Sequence, residues 1–304
     1  MMSEEDDYFR AGEALSSILN RWQSKIKEGM SLISIAEDIE KEIMDMGMKP
    51  AFPVNLSMNE IAAHYTPFPS DRSYVQKGSV LKLDAGIVLN GCIVDAARTI
   101  CFNDSYKKIS DVAREAFYEA VKVMKPGARI MDVSRAIYES IKNGGMKPIK
   151  NLAGHKITKY KLHSGIDIPN YISLSLYKLK PGDVFAVEPF VTTFEGEGIV
   201  LNDNRVYIFS FKKNVRTSSS SEKTIMRLAQ KQFMGLPFCE RWVKKEMGKN
   251  LDDRDIAQLL RVLAKKGGLY DYPVLVEARG MPVAQYENTV MITEDGAVIL
   301  TEKG

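Results

Sequence analysis

Three cysteines and three histidines are all that this 304-residue chain contains. Cys92, Cys101 and Cys239 show no CxxC spacing, so neither a disulfide framework nor a cysteine-built zinc site is indicated. Reduced thiols in a cytoplasmic protein are the simple expectation. No apolar run reaches the roughly 20 residues needed to cross a bilayer. The first residues, MMSEEDD, are acidic and lack the apolar core of a signal peptide. Charge of one sign is also missing, because the net charge is only +3, too weak to argue that the whole chain binds nucleic acid. With 45% hydrophobic and 27% charged residues, the chain is not disordered and can bury a substantial core, as one large domain or two small ones.

What is present is periodicity. Leu15, Ile18, Leu19 and Trp22, then Ile35, Ile39 and Ile43, recur at helical spacing and predict helices over 8–28 and 32–46, with Gly47 and Pro50 as stop signals. Two more helices fit 109–124 and 130–143, separated by Pro126-Gly127. Strand-like segments cover 80–102, 183–193, 198–211 and 283–301. Between them, 213–272 carries 13 Lys/Arg and 7 Asp/Glu, more basic than the chain as a whole. It reads as a helical insertion, entered through the serines at 218–221. The domain expectation is therefore 1–212 with 273–304 as one body and 213–272 as a subdomain.

An internal repeat organises the larger body. GMSLISIAEDIEKEIMDMGMKP (29–50) aligns without gaps on GARIMDVSRAIYESIKNGGMKP (127–148), an offset of 98. Further on, GSVLKLD (78–84) resembles GDVFAVE (182–188), setting Asp84 opposite Glu188. His64 and His163 precede those segments by 20 and 25 residues. Two αβ halves related by an approximate two-fold axis would offer a carboxylate and a histidine each to a site at their junction.

The stretch VLKLDAGIVLNGCIVDAARTICF (80–102) reads as a β-hairpin closed by Asn90-Gly91, the residues that a type I′ turn favours. Leu89 then faces Cys92, and Asp95 faces Gly86. Asp84 and Asp95 become diagonal neighbours on one face, about 7–8 Å apart at the backbone. That suits two side chains reaching one metal. The alternation of Lys82 and Asp84 with Leu81, Leu83 and Ala85 also fits a solvated face. Glu188, inside AVEPFV, and Glu287, inside VAQYENTVMI, repeat the pattern of a carboxylate in apolar strand sequence, where an unpaired charge is costly to bury. His64, His155 and His163 all flank these strands. Four carboxylates and an imidazole make a hard, oxygen-rich site for Mn²⁺, Fe²⁺, Co²⁺ or Zn²⁺. Four negative charges would balance two such ions, and a two-metal site turns water into a nucleophile for hydrolysis.

FPVNLSMNEIAAHYTP, VLKLDAGIVLNGCIVDAA, NLAGHKITKYKLHSGIDIPN, PGDVFAVEPFVTT and VAQYENT, in this order, closely resemble the type II methionine aminopeptidases of the M24 metallopeptidases, above all their archaeal branch. LPFCERW (236–242) resembles part of the helical subdomain that sets type II apart. The resemblance implies an α+β pita-bread fold with pseudo-two-fold symmetric halves and a helical, winged-helix-like insertion. It implies Asp84, Asp95, His155, Glu188 and Glu287 as ligands of two divalent ions (Co, Mn, Fe, Zn or Ni), with Asp95 and Glu287 shared between them. Glu188 would also shuttle protons, and His64 and His163 would contact the substrate. The implied reaction is removal of the initiator methionine from nascent polypeptides with a small second residue, by a monomer. The basic insertion would touch a ribosome transiently, unless its charge is simply a solvated helical face.

Two positions depart from the family pattern. Asn288 stands where a histidine usually follows the last glutamate, which implies altered hydrogen bonding around the site. TTFEGEG (192–198) adds Phe194, Glu195 and Glu197 to a glycine-rich stretch, which implies a reshaped pocket rim. Two other readings use the same residues: an X-Pro dipeptidase of this fold, against which AAHYTP and the insertion argue, and a non-catalytic module that binds ribosome or RNA and would be expected to lose ligands.

Overall fold

The computed structural model describes residues 3–248 and 251–302. In the first half, α1 (Glu4–Lys25) and α2 (Leu32–Asp45) lead through β1 (Lys49–Pro50), β2 (Asn55–Met58) and β3 (Ile61–Ala63) to the hairpin of β4 (Val80–Leu89) and β5 (Cys92–Cys101). The second half follows with α3 (Lys107–Val123), α4 (Ile130–Asn143), β6 (Lys147–Pro148), β7 (Ala153–Ile157), β8 (Asp167–Pro169), β9 (Val184–Val187) and β10 (Phe190–Thr192). β11 (Val200–Phe211) opens the insertion, which holds α5 (Ser220–Arg227), β12 (Phe238–Cys239), α6 (Glu240–Met247) and α7 (Asp253–Lys265). β13 (Leu269–Glu277) returns from it, and β14 (Val283–Gln285), β15 (Asn288–Thr293) and β16 (Gly296–Ile299) complete the second half.

The repeat is visible element by element. α2 and α4 have equal lengths and lie 98 residues apart, as do β1 and β6. The apolar faces coincide: Leu32, Ile35, Ile39 and Ile43 in one half, Ile130, Val133, Ile137 and Ile141 in the other, all buried. Gly47 and Gly145, just past these helices, both have φ of +74°, a left-handed conformation that glycine reaches without a Cβ penalty. That requirement is why a glycine stands at the same place in both repeats. α1 starts earlier than the apolar period predicts, at Glu4, because Ser3 and Asp6 form a capping box. The expected long strand over 283–301 is three strands, interrupted around Glu287 and at the Glu294-Asp295 turn.

Each half has its own core. Leu15, Ile18, Trp22, Ile35 and Ile39 belong to the first, and Phe117, Ile137, Phe185 and Val187 to the second. A third, smaller core lies under α5, α6 and α7, around Phe209, Phe238, Val243, Leu260 and Leu263. β13 pairs with β11 from Leu269 to Glu277 as one strand across position 272–273, although β11 bulges opposite Tyr272, Pro273 and Leu275. The helices thus stand on a strand pair that reaches into the main body.

A buried ion pair rivets α6 to the first half. Arg241 donates from Nη1 and Nη2 to the Glu40 carboxylate at 2.8 and 2.7 Å, and from Nε to the Pro67 carbonyl at 2.7 Å. Glu40 also accepts from Trp242 Nε1 at 2.8 Å and the Val54 amide at 3.1 Å. Arg241 Nη2 reaches Thr66 Oγ1 at 3.3 Å, so the segment after His64 is held by the insertion.

Candidate metal centre

Asn90 and Gly91 have φ of +51° and +94°, as a type I′ turn requires. The pairing runs unbroken from Leu89↔Cys92 through Gly86↔Asp95 and Asp84↔Ala97 to Val80↔Cys101. Asp84 and Asp95 therefore do share a face. That face is not a solvated one: Lys82 is 1% exposed, with Nζ donating to the Asn59 carbonyl at 2.8 Å, Asp95 is 4% exposed, and Asp84 is half-buried. Strand alternation cannot tell a polar face turned to solvent from one turned to an internal cavity. This face belongs to the second kind.

Glu188 follows the last residue of β9, and Glu287 sits between β14 and β15. His155 lies on β7, paired with Ala186 two residues before Glu188. His155 Nε2 is 3.6 Å from Asp95 Oδ2 and 3.6 Å from Glu188 Oε1. One ligand atom each from Asp95, His155 and Glu287 can be enclosed with all three within 4.8 Å of one another. Gln285 Nε2 donates to Glu287 Oε2 at 3.0 Å and lies 3.4 Å from Glu188 Oε2, and Asn55 Nδ2 is 3.5 Å from Asp84 Oδ2.

These contacts leave charge unsatisfied. Asp84 Oδ1, Asp95 Oδ1 and Glu287 Oε1 are buried without a hydrogen-bond partner among the described residues. Burial, then repulsion from the neighbouring carboxylates, pushes Asp84, Glu188 and Glu287 well above the ordinary carboxylate range. Burial lifts Asp95 to about 8. Burial also drives the His155 imidazole down to about 4, which keeps it in the neutral form that binds metal. Orphaned oxygens, crowded acids and a neutral imidazole are what divalent cations would satisfy.

The approximate two-fold axis runs through the site. Ala97 and Glu287 exchange backbone hydrogen bonds of 3.2 and 3.1 Å. On one side Thr99 Oγ1 donates to the Gln285 carbonyl at 2.7 Å and accepts from its amide at 2.9 Å. On the other, Thr289 Oγ1 donates to the Asp95 carbonyl at 2.8 Å and accepts from its amide at 2.7 Å. The frame is symmetric but the carboxylates are only partly so. Asp84 and Glu188 are equivalent, whereas Asp95 corresponds to Gln285 and Glu287 to Ala97.

His64 follows β3 with φ of +66°, an uncommon backbone for a non-glycine residue. Its ring packs edge-on against Tyr272 at 5.6 Å. His64 Nδ1 is 3.1 Å from the Pro273 carbonyl, which can only accept, so Nδ1 carries the proton and Nε2 the free lone pair. His163 lies at the rim, its ring centroid 4.2 Å from that of His155. Both line the same cavity of about 240 Å³ as the five carboxylate and imidazole groups, with Phe52, Leu162, Phe190, Ile208, Pro237 and Tyr272 as its apolar wall. Gln285 and Asn55 go unnoticed in the sequence. Gln285 lies two residues from Glu287, the period-two spacing that puts side chains on the same face of a strand.

The profile of metallopeptidase family M24 matches residues 6–210. The chain belongs to that family. Along its length this M24 metallopeptidase is 41% identical over 301 residues to a methionine aminopeptidase of Thermococcus onnurineus, covering 99% of this chain and 100% of the relative. Among solved structures, the methionine aminopeptidase of Thermotoga maritima matches it with a TM-score of 0.71 at 23% identity, over 100% of this chain and 98% of the other. A thermophilic Arx1 matches with a TM-score of 0.82 at 18% identity, over 100% and 92%. The pita-bread fold expected from the sequence is the fold observed, and the M24 metallopeptidase is a hydrolase that depends on divalent metal.

Proposed function

We propose that this M24 metallopeptidase removes the N-terminal methionine from nascent polypeptides whose second residue is small. The observation that carries the reading is that Asp84, Asp95, His155, Glu188 and Glu287 all line one cavity that also has an apolar wall. The full-length similarity to a methionine aminopeptidase supports the substrate. Asp84, Asp95, His155, Glu188 and Glu287 would hold two divalent ions (Co, Mn, Fe, Zn or Ni), with Asp95 and Glu287 shared. Divalent metal held there would supply Lewis acidity and a water that is nucleophilic at neutral pH.

The chain's own residues do the rest. Glu188, at the cage edge, accepts the proton released in the attack and returns it to the leaving amine. His64 presents Nε2 to the scissile amide, its orientation set by the Pro273 carbonyl, and His163 meets the carbonyl oxygen where negative charge develops. The apolar wall takes the methionine side chain, a flexible thioether that fits irregular apolar space. We also assign residues 1–212 with 273–304 to the catalytic body, and 213–272 to a subdomain whose Pro237 and Tyr272 contribute to that wall. Among the described residues no helix is long and apolar enough to cross a membrane, and we assign the reaction to the cytoplasm. A transient ribosome contact through the basic insertion and a monomeric state belong to the same reading.

Chelator-treated protein should release methionine from Met-Ala-Ser only after Mn²⁺ or Co²⁺ is restored, and leave Ala-Pro intact. Failure to release methionine from any Met-peptide at any metal loading would overturn the reading. Preferential cleavage of Ala-Pro would replace it with the dipeptidase, and absence of metal binding would replace it with the non-catalytic module.

A further inference from the structure

Behind the cage lies a buried guanidinium that the proposed chemistry does not use. Arg98 is 4% exposed. Among the described residues its four hydrogen-bond acceptors are all neutral oxygens: the carbonyls of Ala97 at 3.0 Å, Glu287 at 2.7 Å and Thr301 at 3.3 Å, and Asn288 Oδ1 at 2.8 Å. Its guanidinium carbon also sits 4.7 Å from the centroid of the Tyr286 ring. A charge buried among neutral acceptors is expensive to maintain. Its contacts show what it holds.

Strand alternation turns Glu287 toward the cage and Asn288 toward Arg98. The Glu287 carbonyl takes two donors at once, the Ala97 amide and Arg98 Nη1. Asn288 Oδ1 likewise takes Arg98 Nη2 and Thr301 Oγ1, the latter at 2.9 Å. Thr301 Oγ1 accepts from the Thr289 amide at 2.9 Å, and Thr289 Oγ1 brackets the backbone of Asp95. One chain of hydrogen bonds thus joins Arg98 to the backbones of Glu287 and Asp95, the two ligands assigned as shared.

We infer that Arg98 is a positioning residue for the metal cage: it fixes the backbone of Glu287 directly and that of Asp95 through Asn288, Thr301 and Thr289, and it places one positive charge behind four carboxylates. This rests on the metal reading of the site. It also accounts for Asn288 in place of the family's usual histidine. An amide oxygen has two lone pairs for two donors, whereas a neutral imidazole offers one acceptor nitrogen and a protonated one would repel the guanidinium.

Calorimetric titration of Mn²⁺ into chelator-stripped protein tests this, beside the melting temperature of the same stripped samples. Arg98→Met should bind Mn²⁺ about 10- to 100-fold more weakly than wild type, the range for loss of a group that orients metal ligands. Arg98→Lys, which keeps the charge without the fork, should fall between the two. Thr301→Val, which cuts the chain of bonds but leaves Arg98, should show a smaller loss in the same direction. Folded Arg98→Met with wild-type Mn²⁺ affinity, even with a lower melting temperature, would reduce Arg98 to a structural role and overturn the inference. Should Arg98→Met fail to fold, unchanged affinity in Thr301→Val overturns it. The peptidase reading fails separately: wild-type protein that binds Mn²⁺ but leaves Met-Ala-Ser whole contradicts the activity, whereas the Arg98 comparison is read from metal affinity.

Discussion

Glutamine in place of Glu188 is expected to slow methionine release from Met-Ala-Ser by about 10²–10⁴-fold, the range for losing a positioned proton-transfer group. The substitution keeps the shape of a half-buried side chain beside His155 and Gln285, so circular dichroism should be unchanged. It removes two abilities together, ligation and proton acceptance, and saturation with metal separates them. Glu188→Gln should bind Mn²⁺ more weakly, and raising Mn²⁺ until the site is full should recover only part of the rate. The remaining loss in kcat is the proton-transfer share. Full recovery at saturating Mn²⁺ would leave Glu188 as a ligand alone and move the proton elsewhere.

The second large effect concerns the rivet between insertion and catalytic body. Arg241→Met leaves the Glu40 carboxylate buried with only the Val54 amide and Trp242 Nε1 to satisfy it. Removing one partner of a buried ion pair costs about 3–5 kcal/mol, which urea unfolding should register. The double variant Glu40→Met/Arg241→Met should be more stable than the sum of the single losses predicts, because neither charge is left stranded. Strict additivity would contradict this account of the pair. The rivet also reaches function. Arg241 holds the Pro67 carbonyl and Thr66 Oγ1, three and two residues beyond His64. The folded fraction of Arg241→Met should therefore show a raised KM for the peptide at unchanged Mn²⁺ affinity, since His64 sits on the substrate side of the cage.

Why some of this is legible in the sequence follows from the range of the forces involved. The hairpin register depends on a two-residue turn and a period of two, both local, so the shared face of Asp84 and Asp95 can be derived from residue order. The helical repeat is legible because Gly47 and Gly145 meet the same backbone requirement. What that face looks onto is not local. Lys82 and Asp84 alternate as a solvated strand would, and only the fold gives Lys82 the Asn59 carbonyl and turns Asp84 into a cavity lined by both halves. Residue order leaves open which histidine joins the cage. In the fold, pairing of β7 with β9 sets His155 near Glu188. Arg98 is the extreme case: four residues from the end of the hairpin, it looks like an ordinary edge cation, and its partners at Glu287, Asn288 and Thr301 are roughly 190 to 200 positions away.

The most direct test of the central claim is anomalous scattering from crystals of the stripped protein soaked with Mn²⁺. Anomalous density is expected between Asp84, Asp95, His155, Glu188 and Glu287, with His64 and His163 left free of metal. Density absent from that cage, or found at His64 or His163 in its place, would contradict the claim.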